Sequence, residues 1–231
     1  MNVAVILAGG TGTRLGGEIP KQYIQVDGKP VIAYCLDRFL DNDAVDAVQI
    51  VADAAWHKLI KKYIEESGFA QKWMGFSRPG ETRQLSIFHG LEDIRTYADA
   101  ESYVMIHDAA RPLVKKDFLQ ECFQKVQGHD GIMPVLTMKD TVYLSEDGNR
   151  VTSLLDRERI FAGQAPEVFR LGVYFDANKV LIPDKILSIK GSTEPAVMAG
   201  LDIVMIAGDE GNFKITTGED LEWFKQKIKG K

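Results

Sequence analysis

Short apolar runs alternate with helical patterns along this chain, and that alternation restricts the fold more than any other feature. The runs are Val3–Leu7, Val45–Val51, Tyr103–His107, Gly131–Val135 and Asp202–Ala207. Runs of this kind, apolar on both faces, suit a parallel sheet covered by helices on either side. Between them the spacing of apolar residues predicts helices after Pro30, over Trp56–Ser67, over Arg83–Ile94 and over Lys115–Val126, with a last helix over Gly218–Lys229. The rhythm breaks once. From Thr137 to Ile160 two polar-alternating segments flank an Asp-Gly pair, which predicts a projecting hairpin. The expectation is an α/β fold: a Rossmann-like, mostly parallel sheet in three layers. It forms a single domain over residues 1–231, with a β-arm at 137–160.

A chain of 231 residues with 45% hydrophobic content can bury a sizeable core. Its net charge of -5 gives no broad basic surface for nucleic acid or acidic membrane, so neither is an expected partner. There is no run of about 18 apolar residues to span a bilayer. The first residues lack the basic-then-apolar pattern of a secretory leader. The two cysteines, Cys35 and Cys122, have neither metal-ligand nor redox spacing. They read as buried thiols, and a cytoplasmic location is expected.

The connection after the first strand reads Ala8-Gly9-Gly10-Thr11-Gly12-Thr13-Arg14-Leu15-Gly16, and Pro20-Lys21-Gln22 closes it. Glycines after a strand let backbone N–H groups approach phosphate oxygens. A P-loop needs Gly-Lys-Ser/Thr, which is missing. A dinucleotide fingerprint needs a glycine one position before Gly16. The G-x-G-T-R-x-G…P-K loop of nucleotidyltransferases fits, with Arg14 and Lys21 as its cations. The plain alternative is a glycine-rich turn carrying surface charges.

Three more stretches could serve a ligand. Pro79–Ser86 leads turn-formers into a helix, where backbone groups and the Ser86 hydroxyl suit the edge of a base, or where an ordinary helix start suffices. His107-Asp108-Ala109-Ala110-Arg111-Pro112 follows a buried strand at the end where α/β sheets bind ligands. Asp108 there suits Mg²⁺ and Arg111 a phosphate, or the two pair with each other. His107 suits a loop-holding role better than proton exchange. Lys214, set between Phe213 and Ile215, suits a phosphate, or it extends past its neighbours to water. Asp209 and Glu210 read equally as metal ligands or as a polar turn.

Taken together, LAGGTGTRLGGEIPKQ, GETRQLS, HDAARP, KDTVY…LDRERIFAGQAP and NFKITTGEDL resemble the cytidylyltransferases that make CDP-alditols, over essentially the whole chain. That group includes 2-C-methyl-D-erythritol 4-phosphate cytidylyltransferases and ribitol-5-phosphate cytidylyltransferases. The resemblance implies CTP as co-substrate, Mg²⁺ as cofactor, a polyol phosphate as acceptor, and a homodimer whose β-arm completes the neighbouring subunit's acceptor site. It implies catalytic roles for Arg14, Lys21 and Lys214, and Asp108 as the metal ligand. Ala8, Gly9, Gly10, Gly12, Gly80, Glu81, Ser86 and Ala109 would bind the nucleotide. Arg111, Thr141, Arg157 and Thr193 would bind the acceptor.

Two departures fall on the acceptor side. Gln164-Ala165-Pro166-Glu167 stands where the family usually has Gln-Thr-Pro-Gln, and Thr193-Glu194-Pro195 where it has Thr-Asp-Glu/Ala. The Leu-Ala-Gly-Gly start resembles ribitol-phosphate members, whereas HDAARP and LDRERI resemble the erythritol-phosphate branch. The expected activity is cytidylyl transfer to 2-C-methyl-D-erythritol 4-phosphate. The rivals are ribitol 5-phosphate or another alditol phosphate as acceptor, a sugar-1-phosphate nucleotidyltransferase, and a nucleotide-binding subunit without catalysis.

Overall fold

A computed structural model describes residues 1–10 and 19–230. In chain order its strands and helices are β1 (Asn2–Leu7), β2 (Gln25–Val26), β3 (Lys29–Pro30), α1 (Val31–Leu40), β4 (Ala47–Val51), α2 (Ala54–Glu66), β5 (Trp73–Ser77), α3 (Arg83–Ile94), β6 (Tyr103–Asp108), α4 (Lys116–Lys125), β7 (Gly131–Thr137), β8 (Val142–Leu144), β9 (Ser153–Leu155), β10 (Phe161–Gly163), β11 (Glu167–Arg170), α5 (Leu171–Lys179), α6 (Lys185–Ser188), α7 (Glu194–Met198), β12 (Ile203–Ala207) and α8 (Gly218–Lys229).

The main sheet runs β10-β7-β11-β6-β1-β4-β5, and β12 pairs the other edge of β7. β1 lies parallel between β4 and β6, β5 is parallel to β4, and β12 is parallel to β7. The strands after the arm run the other way: β10 and β11 are antiparallel to β7, and β11 is antiparallel to β6. The sheet is therefore mixed though mostly parallel, the expected three-layer α/β arrangement.

Strand alternation sorts the core into two layers. Ala4, Ile6, Val48, Ile50 and Met105 face α1, α2 and α4 with Leu36, Phe39, Ile60 and Leu119. Val3, Val5, Val104, Ile106 and Phe169 face α3 and α5 with Ile87, Leu91, Ile94 and Tyr174. Each fully buried Ile or Leu contributes about 1.5–3 kcal/mol by leaving water. Helix starts follow local chemistry. Asp53 caps α2 through Ala55 N–H, Thr82 caps α3 through Leu85 N–H, and Thr217 with Asp220 forms a capping box on α8.

The expected arm is present, with narrower bounds. Thr137 belongs to β7, and the hairpin proper is β8 paired antiparallel with β9 in a separate two-stranded sheet. Its connection is an eight-residue loop rather than a tight Asp-Gly turn, because Asp147 accepts from the N–H groups of Asn149 and Arg150 and opens the bend. Cys35 and Cys122 are free and buried. Among the described residues no helix is long and apolar enough to cross a membrane.

Candidate active site

The carboxyl ends of β1 and β6 open into a cavity of about 370 Å³, the size range of small-ligand sites. Gly9 and Gly10 form one wall, and Gly80, Glu81 and Ser86 the opposite one. Lys21, Asp108 and Lys214 also line it, so eight of the sequence-selected residues meet in one place. Gly12 and Arg14 lie outside the described residues.

Two wall positions, one packed across to Pro79 and one against its own segment, are too close to their neighbours for a Cβ. A Cβ on Gly9 would stand 2.5 Å from Pro79 Cβ, and one on Gly80 would stand 2.6 Å from Leu85 Cγ. The loop after β1 is bolted at its root. Gln22, 3% exposed, donates from Nε2 to the carbonyls of Ala8 (2.7 Å) and Gly10 (2.6 Å). The Tyr23 hydroxyl also donates to Ala8 O, and its ring stacks on Trp56. Pro20-Lys21-Gln22 thus fixes the glycine loop from behind and delivers Lys21 to the cavity. Ala8 and Ala109 are buried, with their N–H groups bonded to Val51 O and Leu7 O. The Ser86 hydroxyl is engaged within its own wall, accepting from Gly80 N–H (2.9 Å) and donating to Thr82 O (2.9 Å).

Three cations surround Asp108. Arg83 Nε lies 3.0 Å from Oδ1, Lys214 Nζ 2.9 Å from Oδ2, and Arg111 Nε 3.6 Å from Oδ2. Burial by itself pushes the Asp108 pKa up, but Arg83, Lys214 and Arg111 outweigh it and hold the carboxyl well below its ordinary range. Asp108 is therefore ionised at any physiological pH, and the surplus charge around it is positive. That is the field a polyphosphate needs. Lys214 points to Asp108 and the cavity, not past its neighbours to water. His107, fully buried, is bonded through Nε2 to the Arg111 carbonyl. Burial pulls its pKa down to about 4, so the ring is neutral and holds the loop.

Sequence reasoning passed over Arg83, which lines the cavity and pairs with Asp108. At the first position of α3 it reads as an ordinary helix residue, and the pairing appears only when α3 packs beside β6. Gln22, Thr82 and Thr216 were likewise not selected, though all three line the cavity.

The acceptor-side residues are dispersed. Arg111 is not among the lining residues: its Nη1 donates to Asn212 O (2.7 Å) while its Nε lies 3.6 Å from Asp108 Oδ2. Thr141 and Arg157 are exposed on the arm, and Arg157 donates to Lys139 O. Thr193 is buried, and its hydroxyl has no hydrogen-bond partner among the described residues. Asp209 and Glu210 resolve as a polar turn, paired with Lys115 and Lys139. Among the described residues no group of three or more His, Cys, Asp or Glu is placed to hold a metal. Asp108 and Glu81 are the carboxylates of the lining, and both Asp108 oxygens face cations, Arg83 on Oδ1 and Lys214 on Oδ2; an ion such as Mg²⁺ held by Asp108 would take its other ligands from water and a substrate's phosphates.

Known proteins share this architecture and sequence. A solved 4-diphosphocytidyl-2C-methyl-D-erythritol synthase from Anaerococcus prevotii superposes with a TM-score of 0.83 over 99% of this chain and 96% of that one, at 22% identity. The 2-C-methyl-D-erythritol 4-phosphate cytidylyltransferase of Francisella tularensis gives 0.79 over 97% and 98%, at 25% identity. In sequence, the ribitol-5-phosphate cytidylyltransferase of Streptococcus agalactiae serotype V is 32% identical over 226 residues, covering 97% of this chain and 94% of that protein. The 2-C-methyl-D-erythritol 4-phosphate cytidylyltransferase of Lachnospira eligens is also 32% identical over 226 residues, with 96% of each covered. The family model described as "IspD: 2-C-methyl-D-erythritol 4-phosphate cytidylyltransferase" matches residues 2–227. A glycine-walled pocket with a cation-ringed aspartate, on this fold and with these relatives, means that the chain belongs to the IspD family of cytidylyltransferases.

Proposed function

We propose that this protein transfers the cytidylyl group of CTP to 2-C-methyl-D-erythritol 4-phosphate, releasing pyrophosphate. The observation that carries this reading is the pocket itself, where Lys21, Lys214 and Arg83 converge beside one ionised carboxylate between two glycine walls. A phosphate oxygen of the acceptor forms a new bond to the α-phosphorus of CTP. The bond from that phosphorus to the oxygen bridging to the β-phosphate breaks, and pyrophosphate leaves with the electron pair. Little covalent chemistry falls to the protein. Its work is alignment and charge neutralisation.

Gly9, Gly10, Gly80, Glu81 and Ser86 form the nucleotide walls; we extend nucleotide binding to Ala8 and Ala109, buried outside the lining, and to Gly12, outside the described residues. Lys21 and Arg14 neutralise charge that grows on the triphosphate, and Lys214 orients the α-phosphate. Asp108 holds Mg²⁺, which supplies charge neutralisation on the phosphates when bound. Arg111, Thr141, Arg157 and Thr193 receive the acceptor. Thr141 and Arg157 sit on an arm whose Tyr143, Val151 and Leu154 are 57%, 68% and 65% exposed. Exposed apolar groups on a projecting hairpin favour burial against a second copy. In such a homodimer each arm serves the neighbouring pocket. With two free buried thiols and no membrane-crossing helix among the described residues, a cytoplasmic enzyme is the matching setting.

Ribitol 5-phosphate is the second reading. The Leu7-Ala8-Gly9-Gly10 start favours it, Ala165 in place of threonine leaves the acceptor open, and the 32% identity is the same to relatives named for either acceptor. Pyrophosphate release with CTP and Mg²⁺ decides. Turnover with the methylerythritol phosphate alone supports the first reading, and turnover with ribitol 5-phosphate alone replaces it. CTP binding without release in the presence of either acceptor overturns both.

A further inference from the structure

Arg83 lines the cavity, and its pairing with Asp108 uses only part of what the side chain offers. A guanidinium carries five N–H donors in a planar fork. One of them, Nε–H, goes to Asp108 Oδ1 (3.0 Å), and among the described residues neither terminal nitrogen makes a hydrogen bond. An arginine that neutralises a carboxylate frequently forks onto both of its oxygens. Here the second oxygen is taken, because Lys214 Nζ lies 2.9 Å from Asp108 Oδ2. The Arg83 side chain keeps 32% of its surface exposed, so its open donors can be reached from the cavity. Arg111 differs: its Nη1 is spent on Asn212 O (2.7 Å), and it does not line the cavity.

Arg83 is also held at both ends. Just before it, Thr82 Oγ1 accepts from Leu85 N–H (3.2 Å) and caps α3. Just after it, Gln84 is buried and donates from Nε2 to Asn178 Oδ1 (2.6 Å) and the Tyr174 hydroxyl (3.2 Å). Asp108 fixes the far end of the side chain. Donors placed this firmly lose little freedom when a ligand arrives. The ligand they suit is an anion with several oxygens. Arg83 and Lys214 flank Asp108, one on each of its oxygens, so two cations share one carboxylate at the cavity wall. A planar fork beside an ammonium matches the oxygens of a phosphate.

We propose that Arg83 is a phosphate-binding residue: anchored to Asp108 through Nε, it offers its terminal N–H groups to a phosphate of the bound substrates, beside Lys214. This rests on the cytidylyltransferase reading above. The nucleotide and the polyol phosphate both carry that chemistry, and the test separates them.

The test is Arg83→Lys, which keeps one positive charge for Asp108 but cannot pair with it and fork onto a phosphate together. Titration calorimetry compares CTP with cytidine, which has the base and sugar but no phosphate. The methylerythritol and ribitol phosphates are then titrated onto enzyme saturated with a non-reacting CTP analogue. The expected result is about a 10-fold or greater loss of affinity for one phosphate-bearing substrate, with the cytidine Kd within about twofold of wild type. Arg83→Gln, which removes the charge as well, should lose at least as much. Loss confined to CTP supports the proposal and places the contact on the nucleotide; loss confined to the polyol phosphates supports it and places the contact on the acceptor. Unchanged affinity for CTP and acceptors in both variants overturns the proposal, leaving Arg83 as a partner of Asp108 and the cytidylyltransferase reading intact. A cytidine Kd that rises as far as the CTP Kd also overturns it, since that marks a damaged wall. Wild-type protein that binds neither CTP nor a polyol phosphate removes both this proposal and the reading beneath it.

Discussion

Asp108→Asn separates the structural and functional parts of the cation cluster. Asparagine has the same shape, so no cavity forms, and the change is the loss of one negative charge from among Arg83, Lys214 and Arg111. Removing one partner of a buried ion pair costs about 3–5 kcal/mol. Arg83 and Lys214 keep 32% and 31% of their side chains exposed, so water recovers part of that, and the low end, about 3 kcal/mol, applies. In a chain of 231 residues about 2–4 °C follows each kcal/mol, which gives a drop in Tm of about 6–12 °C. The second arm runs in the opposite direction. Three cations without a counter-ion form a stronger anion site, so CTP without metal should raise the variant's Tm more than the wild type's. Binding at 100 times Kd contributes about 2.7 kcal/mol, enough to return most of the loss. With Mg²⁺ and acceptor present, the proposed role of Asp108 as the ion's protein ligand predicts a fall in kcat of about 100- to 1,000-fold. Differential scanning fluorimetry with and without CTP, beside a pyrophosphate-release assay, reads all three. A variant that melts with the wild type and gains nothing extra from CTP would refute the electrostatic account of the pocket.

Other perturbations reach other parts of the site. Gly9→Ala drives a methyl group to within 2.5 Å of Pro79, so stability should fall by about 1–3 kcal/mol and the KM for CTP should rise; an unchanged urea midpoint rejects this close approach. Gln22→Ala leaves the Ala8 and Gly10 carbonyls without their donor, for about 2 kcal/mol and a several-fold weaker CTP affinity, measurable by calorimetry. His107 titrates near 6.5 when unfolded and about 4 when folded, so the unfolded state binds the extra proton and stability must rise as pH increases through that window. The span is worth about 3 kcal/mol, and denaturant midpoints from pH 4 to 7 should show it in the wild type and not in His107→Gln. The proposed homodimer predicts that the wild type sediments as a dimer at micromolar concentration and that Leu154→Asp, on a residue 65% exposed in the arm, sediments as a monomer with little change in the CTP Kd; a monomeric wild type rejects it.

The parts of the fold legible in the sequence are those whose burial is symmetrical. β1 and β6 are covered on both faces, so Val3–Leu7 and Tyr103–His107 appear as unbroken apolar runs. α3 is readable from end to end because Thr82 caps it and Phe88, Leu91 and Ile94 repeat on its inner face. Two strands give no such signal. β5 is an edge strand carrying Gly75 at φ 142°, with a register shift against β4 and only Ser77 buried among its residues. β11 lies deep in the sheet between β6 and β7, yet Glu167 and Arg170 bracket it, and a four-residue run with charged ends looks like a loop.

Lys21, Asp108 and Lys214 could be found from sequence because each sits inside a compact motif, and the motifs together resemble one family although each motif alone has a plainer reading. Arg83 and Glu167 could not, because their meaning comes from packing. Arg83 is 25 residues from its partner Asp108, and Glu167 meets Ser192 across another 25. The two departures from the family pattern near residues 165 and 194 look from sequence like isolated substitutions. In the fold they are adjacent, since the Glu167 carboxylate takes the Ser192 hydroxyl and the Glu194 carboxylate takes the N–H of Lys190 and closes the loop that carries Ser192 and Thr193. A chain of net charge -5 thus concentrates positive side chains around one carboxylate, Asp108, at the wall of the glycine-lined cavity.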